Sequence, residues 1–205
     1  DVYKRQHIND PFVKKSRREG YRARSVYKLT ELDDTEHLFR PGMNVADLGS
    51  APGSWTQIVR ERLTDKNGEL KGRIIAMDIL PMEPIDGVTF LQGDFREQEV
   101  ADKLNEILGG DKLDVVISDM APNLSGIAMV DANASLLLNE LALDFAVEHL
   151  KPEGVFVTKA FQGSGYSQFI ENCKKHFVSV AQRKPEASRN SSAEMYVVAR
   201  RLKNK

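Results

Sequence analysis

Short apolar runs alternate with amphipathic stretches along most of the chain. Runs of strand length lie at 44–49 (NVADLG), 73–78 (RIIAMD), 88–91 (VTFL), 113–119 (LDVVISD) and 154–160 (GVFVTKA). Apolar residues at helical spacing fill about 24–38, 54–63, 97–108 and 133–150. Arg-Pro-Gly at 40–42 breaks the first of these helices, and Lys151-Pro152 ends the last. Strands that alternate with helices, and that read as nearly continuous hydrophobic runs, predict a parallel sheet covered on both faces. The tail departs from this rhythm. Residues 176–202 read as two strands joined by a polar loop with no helix between them. The expected architecture is therefore an α/β fold whose mostly parallel sheet finishes on an antiparallel hairpin strand.

Composition narrows the picture. A chain of 205 residues, 41% hydrophobic, fills one domain with a sizeable core. No apolar run is long enough to span a bilayer and no secretory block opens the chain, so a cytoplasmic protein is expected. One cysteine, Cys173, rules out an internal disulfide and offers no metal cluster. Net charge is −1, but it is unevenly spread. Residues 1–28 carry nine Lys/Arg and three Asp/Glu, and residues 174–205 carry nine and two. The stretch 29–173 holds 11 basic and 25 acidic residues. If the ends meet in the fold they form one positive face of the kind phosphate binding needs; otherwise they are solvated tails.

In open parallel sheets, ligands sit beyond the carboxyl ends of the strands. The first strand runs into "DLGSAPGSW", residues 47–55. Its glycines, Gly49 and Gly53, do not have dinucleotide-fingerprint spacing, and no Gly-Lys-Ser/Thr follows to hold a phosphate. Pro52 suits the first turn of the next helix, and the glycines allow close approach of a ligand to the backbone. Asp47 in the lead-in would repel a polyphosphate. Acids recur at the next strand ends: Asp78 after the second, Asp94 after the third and Asp119 after the fourth. Singly, each is an ordinary turn residue or helix cap. Together they describe an acidic crevice suited to a cationic nucleoside with a free ribose, such as S-adenosylmethionine. Asp78 is placed to accept from ribose hydroxyls and Asp94 from an adenine amino group. In the fifth strand Lys159 interrupts an apolar run, and buried lysines are rare unless paired. It is either a snorkelling lysine or a crevice residue beside Asp119.

Longer motifs then resemble a family. "GYRARSVYKL", "DLGSAPGSW", "GRIIAMDILPM", "FLQGDF", "SDMAPNLSG", "VTKAFQG" and "RKPEASRNSSAEMYVVA" closely match FtsJ-like (RrmJ-type) ribosomal RNA 2′-O-methyltransferases over roughly residues 7–200. The opening "DVYKRQ" does not match well, and Ser50 and Ser54 stand where relatives often have Ala and Gly. The resemblance implies a Rossmann-like methyltransferase fold with a seven-stranded sheet, the last strand antiparallel. It implies S-adenosylmethionine as cofactor and a catalytic tetrad at Lys28, Asp119, Lys159 and Glu194. Asp47, Gly49, Gly53, Trp55, Asp78, Asp94 and Asp119 fall at its cofactor positions, with Trp55 as a wall of the pocket.

On this reading residues 1–28 are a basic RNA-binding segment and 29–205 the Rossmann-like core of a monomer. Arg22, Arg24, Arg183, Lys184 and Arg189 are expected to hold phosphates, and Tyr21, Tyr27 and Tyr196 either stack a base or pack. The implied activity is methylation of a uridine ribose in 23S ribosomal RNA, in support of ribosome assembly. A transfer-RNA methyltransferase of the same family and an RNA-binding assembly factor are the alternatives. The missing G-x-G-x-x-G argues against a nicotinamide-dependent dehydrogenase.

Overall fold

The computed structural model describes residues 10–122, 125–188 and 192–204. Two helices precede the sheet: α1 (Pro11–Glu19) and α2 (Val26–Glu36). The Asp10 carboxylate caps α1 by accepting from the N–H groups of Phe12 and Val13, Pro11 occupies its first turn, and Gly20 closes it in the left-handed conformation. There follow β1 (Asn44–Leu48), α3 (Ser54–Leu63), β2 (Arg73–Asp78), β3 (Thr89–Gln92), α4 (Gln98–Leu108), β4 (Leu113–Ser118) and α5 (Ala128–His149). The chain ends with β5 (Leu150–Phe161), α6 (Tyr166–His176), β6 (Phe177–Arg183) and β7 (Glu194–Leu202). Among the described residues no helix is long and apolar enough to cross a membrane.

The seven strands form one sheet in the order β3-β2-β1-β4-β5-β7-β6. The first five are parallel, and β7 inserts antiparallel between β5 and β6. The expected mostly parallel sheet with an antiparallel end is therefore present. Strand β1 is central and buried at all five positions, which is why its sequence shows no alternation. One face of the sheet packs on α4, α5 and α6 through Leu104, Leu143, Phe145 and Phe169. The other packs on α2 and α3 through Leu29, Leu32, Trp55, Ile58 and Leu63.

Two expected boundaries shift. Helix α5 begins at Ala128 rather than 133, because the Asp131 carboxylate in its first turn accepts from Ser125 N, Ser125 Oγ and Gly126 N and ties the preceding loop to it. Strand β5 begins at Leu150, running through Pro152, and the bulge between Leu113 and Val115 absorbs the irregularity. Pro52 also lies before α3 rather than in its first turn, behind a cis Ala51–Pro52 bond and the helix-capping Gly53.

Candidate active site

Four elements bring Lys28, Asp119, Lys159 and Glu194 to the carboxyl end of the sheet. Lys28 projects from the first turn of α2 and is buried. Glu194 opens β7 opposite Phe161, and Lys159 on β5 stands opposite Tyr196 on β7. Asp119 follows directly on β4. Lys28 Nζ lies 2.6 Å from Glu194 Oε1, which also accepts from Ser188 Oγ at 2.8 Å. Lys159 Nζ lies 3.5 Å from Asp119 Oδ1, which accepts from the Tyr196 hydroxyl at 3.0 Å. The expected tetrad is thus two ion pairs joined by their shared field.

The two carboxyls respond differently to that field. Burial pushes the Asp119 carboxyl above its ordinary range, against the opposing pull of Lys159 and Lys28. Burial also acts on Glu194, but the hydrogen bond and charge of Lys28, with help from Ser188 and Lys159, outweigh it and hold that carboxyl low. Two supporting residues were not foreseen. Tyr196, expected either to stack a base or to pack, is fully buried and its hydroxyl donates to Asp119. Asn139 reaches from α5 to the Lys159 carbonyl at 2.6 Å. The available signal was an Asn directly after three leucines in "LLLNELAL".

The cofactor-loop residues assemble beside this cluster. Gly49 and Ser50 donate to the Met77 carbonyl, and Ala51 N donates to Asp78 Oδ2, so β2 holds the loop after β1. Asp78 also accepts from Leu80 N. It thus carries two backbone donors and keeps roughly half of its acceptor sites for a ligand. Gly49 has φ +69°, and a Cβ there would meet Met120 Cγ at 2.2 Å. Gly53 has φ +113°, and a Cβ would meet Arg22 Nη1 at 2.9 Å. At both glycines the protein's own side chains crowd the position that a Cβ would take. Trp55 is buried, donates to the Ser25 carbonyl at 2.9 Å and packs on Tyr196, so it supports the loop from beneath. Asp94 is clasped by the Arg96 guanidinium, which holds its carboxyl low. Ser54 pairs with Ser25, whereas the buried Ser50 Oγ has no partner among the described residues.

Asp47 is enclosed and accepts from Thr56 Oγ1 at 2.7 Å. Burial pushes its carboxyl up to about 7; Thr56 pulls against this and the neighbouring Asp119 and Asp78 add to it. The unfolded carboxyl ionises near 3.8, so between there and about 7 the folded chain keeps a proton that the unfolded chain has released. Stability contributed by this group therefore falls as pH rises through that window. Asp47→Asn is expected to raise the melting temperature of the ligand-free protein at pH 8 and to leave it nearly unchanged at pH 4. Melting curves of the two proteins that run parallel across this range would contradict the assignment.

The basic ends of the chain do meet, and several of their cations bond within the fold. Arg24 pairs with Asp10 and donates to the Ala187 carbonyl. Arg183 pairs with Glu36, and Lys184 donates to the carbonyls of Ser192 and Glu194. Glu31 accepts from the N–H groups of Glu186 and Ala187, which completes a clamp between α2 and the β6–β7 loop. Arg22 donates to the carbonyls of Pro52, Glu83 and Pro84, pinning the cofactor loop to the segment after β2. These four, expected as phosphate contacts, each bond within the fold, and Arg183 and Lys184 remain exposed; the fifth, Arg189, lies outside the described residues. Tyr27 is likewise buried and bonded to Glu19, and Tyr21 bonds Glu61. On α1, Lys14, Lys15, Arg17 and Arg18 are exposed.

This geometry sits in a recognisable lineage. Residues 21–202 match the family model for FtsJ-like methyltransferases. The chain belongs to the FtsJ-like methyltransferase family. Among its relatives, the ribosomal RNA large subunit methyltransferase E of Bordetella petrii is 55% identical over 97% of this chain and 94% of its own. The enzyme of the same name from Cupriavidus necator is 54% identical over 96% of this chain and 93% of its own. A Plasmodium falciparum protein assigned as a ribosomal RNA methyltransferase superposes with a TM-score of 0.79 at 32% identity, over 90% of this chain and 100% of that one. Human methyltransferase-like protein 13, solved with SAH, shares the fold at a TM-score of 0.56 and 18% identity, covering 85% of this chain and 79% of that one. The Rossmann-like methyltransferase architecture is therefore that of this FtsJ-like chain.

Proposed function

We propose that this FtsJ-like chain transfers a methyl group from S-adenosylmethionine to the ribose 2′-oxygen of a uridine in 23S ribosomal RNA, in the cytoplasm, in support of large-subunit assembly. The observation that carries the reading is the convergence of Lys28, Asp119, Lys159 and Glu194, from α2, the β4 end, β5 and β7, on one point at the sheet's carboxyl end. The names of the relatives supply the substrate class.

The residues present fit the cofactor. A row of acids at the ends of β1, β2, β3 and β4, a loop without a lysine and an unpartnered buried Ser50 Oγ suit a cationic nucleoside that has no phosphate. Asp78 retains acceptor capacity for ribose hydroxyls, and the exposed Ile79 and Leu80 beside it offer an apolar surface for the adenine. When bound, this cofactor supplies a methyl group activated by a positive sulfur. The chain supplies the rest. A neutral ribose hydroxyl is a weak nucleophile, and Lys159 Nζ is the group that would take its proton or stabilise the charge developing on its oxygen. Asp119 and the Tyr196 hydroxyl fix the Lys159 amine in place. The Lys28–Glu194 pair holds β7, and with it Tyr196, against α2.

The test is direct. The protein is incubated with labelled S-adenosylmethionine and unmodified 23S RNA, free or in large-subunit particles, and 2′-O-methyl positions are mapped. A single ribose-methylated uridine is expected. Methylation of transfer RNA alone would redirect the substrate assignment, and no transfer to either RNA would sink the reading.

RNA contact is assigned to the exposed face of α1. The triple variant Lys14→Ala/Arg17→Ala/Arg18→Ala should weaken RNA binding at low salt and flatten the dependence of log K on log salt by about 2–3. Arg22→Ala should behave differently. It releases three carbonyls around the cofactor loop, so the cofactor dissociation constant should rise while the salt slope stays put. Both are measured by titration across a salt series.

A further inference from the structure

A second cleft is linked to Lys159 through Phe161 and Asn139 of its lining, and no residue of the 47–55 loop lines it. It has a volume of about 420 Å³ and lies between the first half of α5 and the Gly163-Ser164-Gly165 turn after β5. Its apolar walls are Met129, Leu136, Phe161, Tyr166 and Phe169, and Ser135 and Gln162 are among its polar lining residues. None of its lining residues is charged at neutral pH; the Tyr166 phenol, which burial pushes further up, donates to Gln182. Phe161 joins this cleft to the tetrad: its ring lies 5.8 Å from Lys159 Nζ, and Glu194 is its partner across the sheet. The turn is held close to α5 by Gly165, whose φ is +87° and where a Cβ would meet Leu136 Cδ2 at 3.0 Å. Around the mouth, Ile127, Met129, Val130 and Leu137 expose apolar side chains to solvent.

We infer that this cleft receives the unstacked base of the nucleotide being methylated, or of its immediate neighbour in the RNA strand. The inference rests on the reading above, and the chemistry follows from connectivity. A nucleobase hangs from the sugar carbon next to the one that bears the 2′-oxygen, so a ribose presented to Lys159 must put its base within one sugar's width. The crevice toward β1 is taken by the acids and the cofactor loop. The cleft beyond Phe161 is the neutral, aromatic-lined space that remains at that distance. Proteins read single-stranded RNA by stacking unpaired bases on aromatic rings and bonding to their edges, and enzymes acting on one nucleotide draw it out of its stack. Phe161 and Tyr166 supply ring faces, and the exposed Gln162 and Ser135 supply donors and acceptors at the rim. A charged peptide has no counter-ion among these lining residues, whereas a neutral base needs none. The cleft thus positions the target, and Lys159 acts on it.

Two measurements test this. Ala132→Trp projects an indole into the cleft from α5, clear of the tetrad and the cofactor loop. It is expected to raise KM for the RNA, or lower kcat/KM, at least tenfold, with the cofactor dissociation constant unchanged. Ultraviolet crosslinking of wild-type protein to its RNA, followed by peptide mapping, is expected to place a crosslink within 161–166. Wild-type kcat/KM in a folded Ala132→Trp protein, or crosslinks that map only elsewhere, would overturn the assignment. A crosslink to a ribosomal protein at this cleft would overturn it too, by giving the surface to a protein partner. If Ala132→Trp fails to fold, the crosslink decides. If the wild-type protein binds ribosomal RNA yet methylates none, the proposed activity fails, and the crosslink still reports whether a base occupies the cleft.

Discussion

Lys159→Ala is expected to reduce methyl transfer by roughly 10²–10⁴-fold, the range typical of losing one positioned acid–base group. Cofactor and RNA affinity should change little. The side chain is only 12% exposed, and its amine lies 3.5 Å from Asp119 and 5.8 Å from the Phe161 ring, so it is held in place and screened little by water. Removing it leaves the Asp119 carboxyl with the Tyr196 hydroxyl and the more remote charge of Lys28, and that carboxyl, already raised by burial, responds by holding its proton more tightly. The fold therefore loses little, because the vacated partner can become neutral. Lys159→Arg separates the two roles open to the amine. Arginine keeps the positive charge but does not take up a proton near neutral pH. If the variant retains within tenfold of wild-type kcat, charge stabilisation is the main contribution; a loss equal to that of the alanine variant points to proton transfer. The measurement is single-turnover methyl transfer, with melting temperature and cofactor titration alongside. A chain whose role is RNA binding during assembly would show no effect of Lys159→Ala on that role, so the variant also separates enzyme from scaffold.

Much of this site could be read in the residues, and the reason is physical. A charge inside an apolar strand, as at Lys159, is costly unless answered, so its position alone pointed to a partner. The acids at successive strand ends were legible because the βα rhythm of the chain reveals where the strands stop. What could not be read was how cations distribute their bonds. Arg22, Arg24, Arg183 and Lys184 look like phosphate ligands in sequence, because a basic segment advertises charge but not the carbonyl it faces. Their partners (Pro52, Ala187, Glu36 and the Ser192 and Glu194 carbonyls) lie between 8 and 163 residues away along the chain. The glycines illustrate the same limit. Gly49 and Gly53 do adopt conformations that disfavour a side chain, but the atoms that exploit the space belong to Met120 and Arg22. Tyr196 was invisible as a tetrad partner, since its role depends on the antiparallel register that sets it opposite Lys159.

The largest expected effect on stability belongs to Lys28→Met. The Lys28–Glu194 pair is short, 2.6 Å, and both side chains are only 10% exposed. It joins α2 to the first residue of β7, and so stands between the helical layer and the strand that carries Tyr196. Losing one partner of a buried pair costs about 3–5 kcal/mol, because the other charge stays behind without compensation. For a chain of this size that corresponds to a drop in Tm on the order of 10 °C. The Glu194 carboxylate would keep Ser188 Oγ as a donor. The sign of the pH dependence follows from the direction of its shift. In the wild type this carboxyl is held below its ordinary value of 4.5, so its stabilising contribution is present above that value and is lost as pH falls through the lower, folded one. Without Lys28, burial dominates and the carboxyl instead penalises folding at neutral pH. The gap in Tm between wild type and Lys28→Met should therefore be widest at pH 6–8 and close as pH falls toward 4. The double variant Lys28→Met/Glu194→Gln, which removes both charges, should recover most of the loss near neutrality while methyl transfer stays impaired, since neither partner remains to set the field around Asp119. A gap that stays constant with pH, or a double variant as unstable as the single one, would show that Lys28 contributes packing rather than charge at this junction.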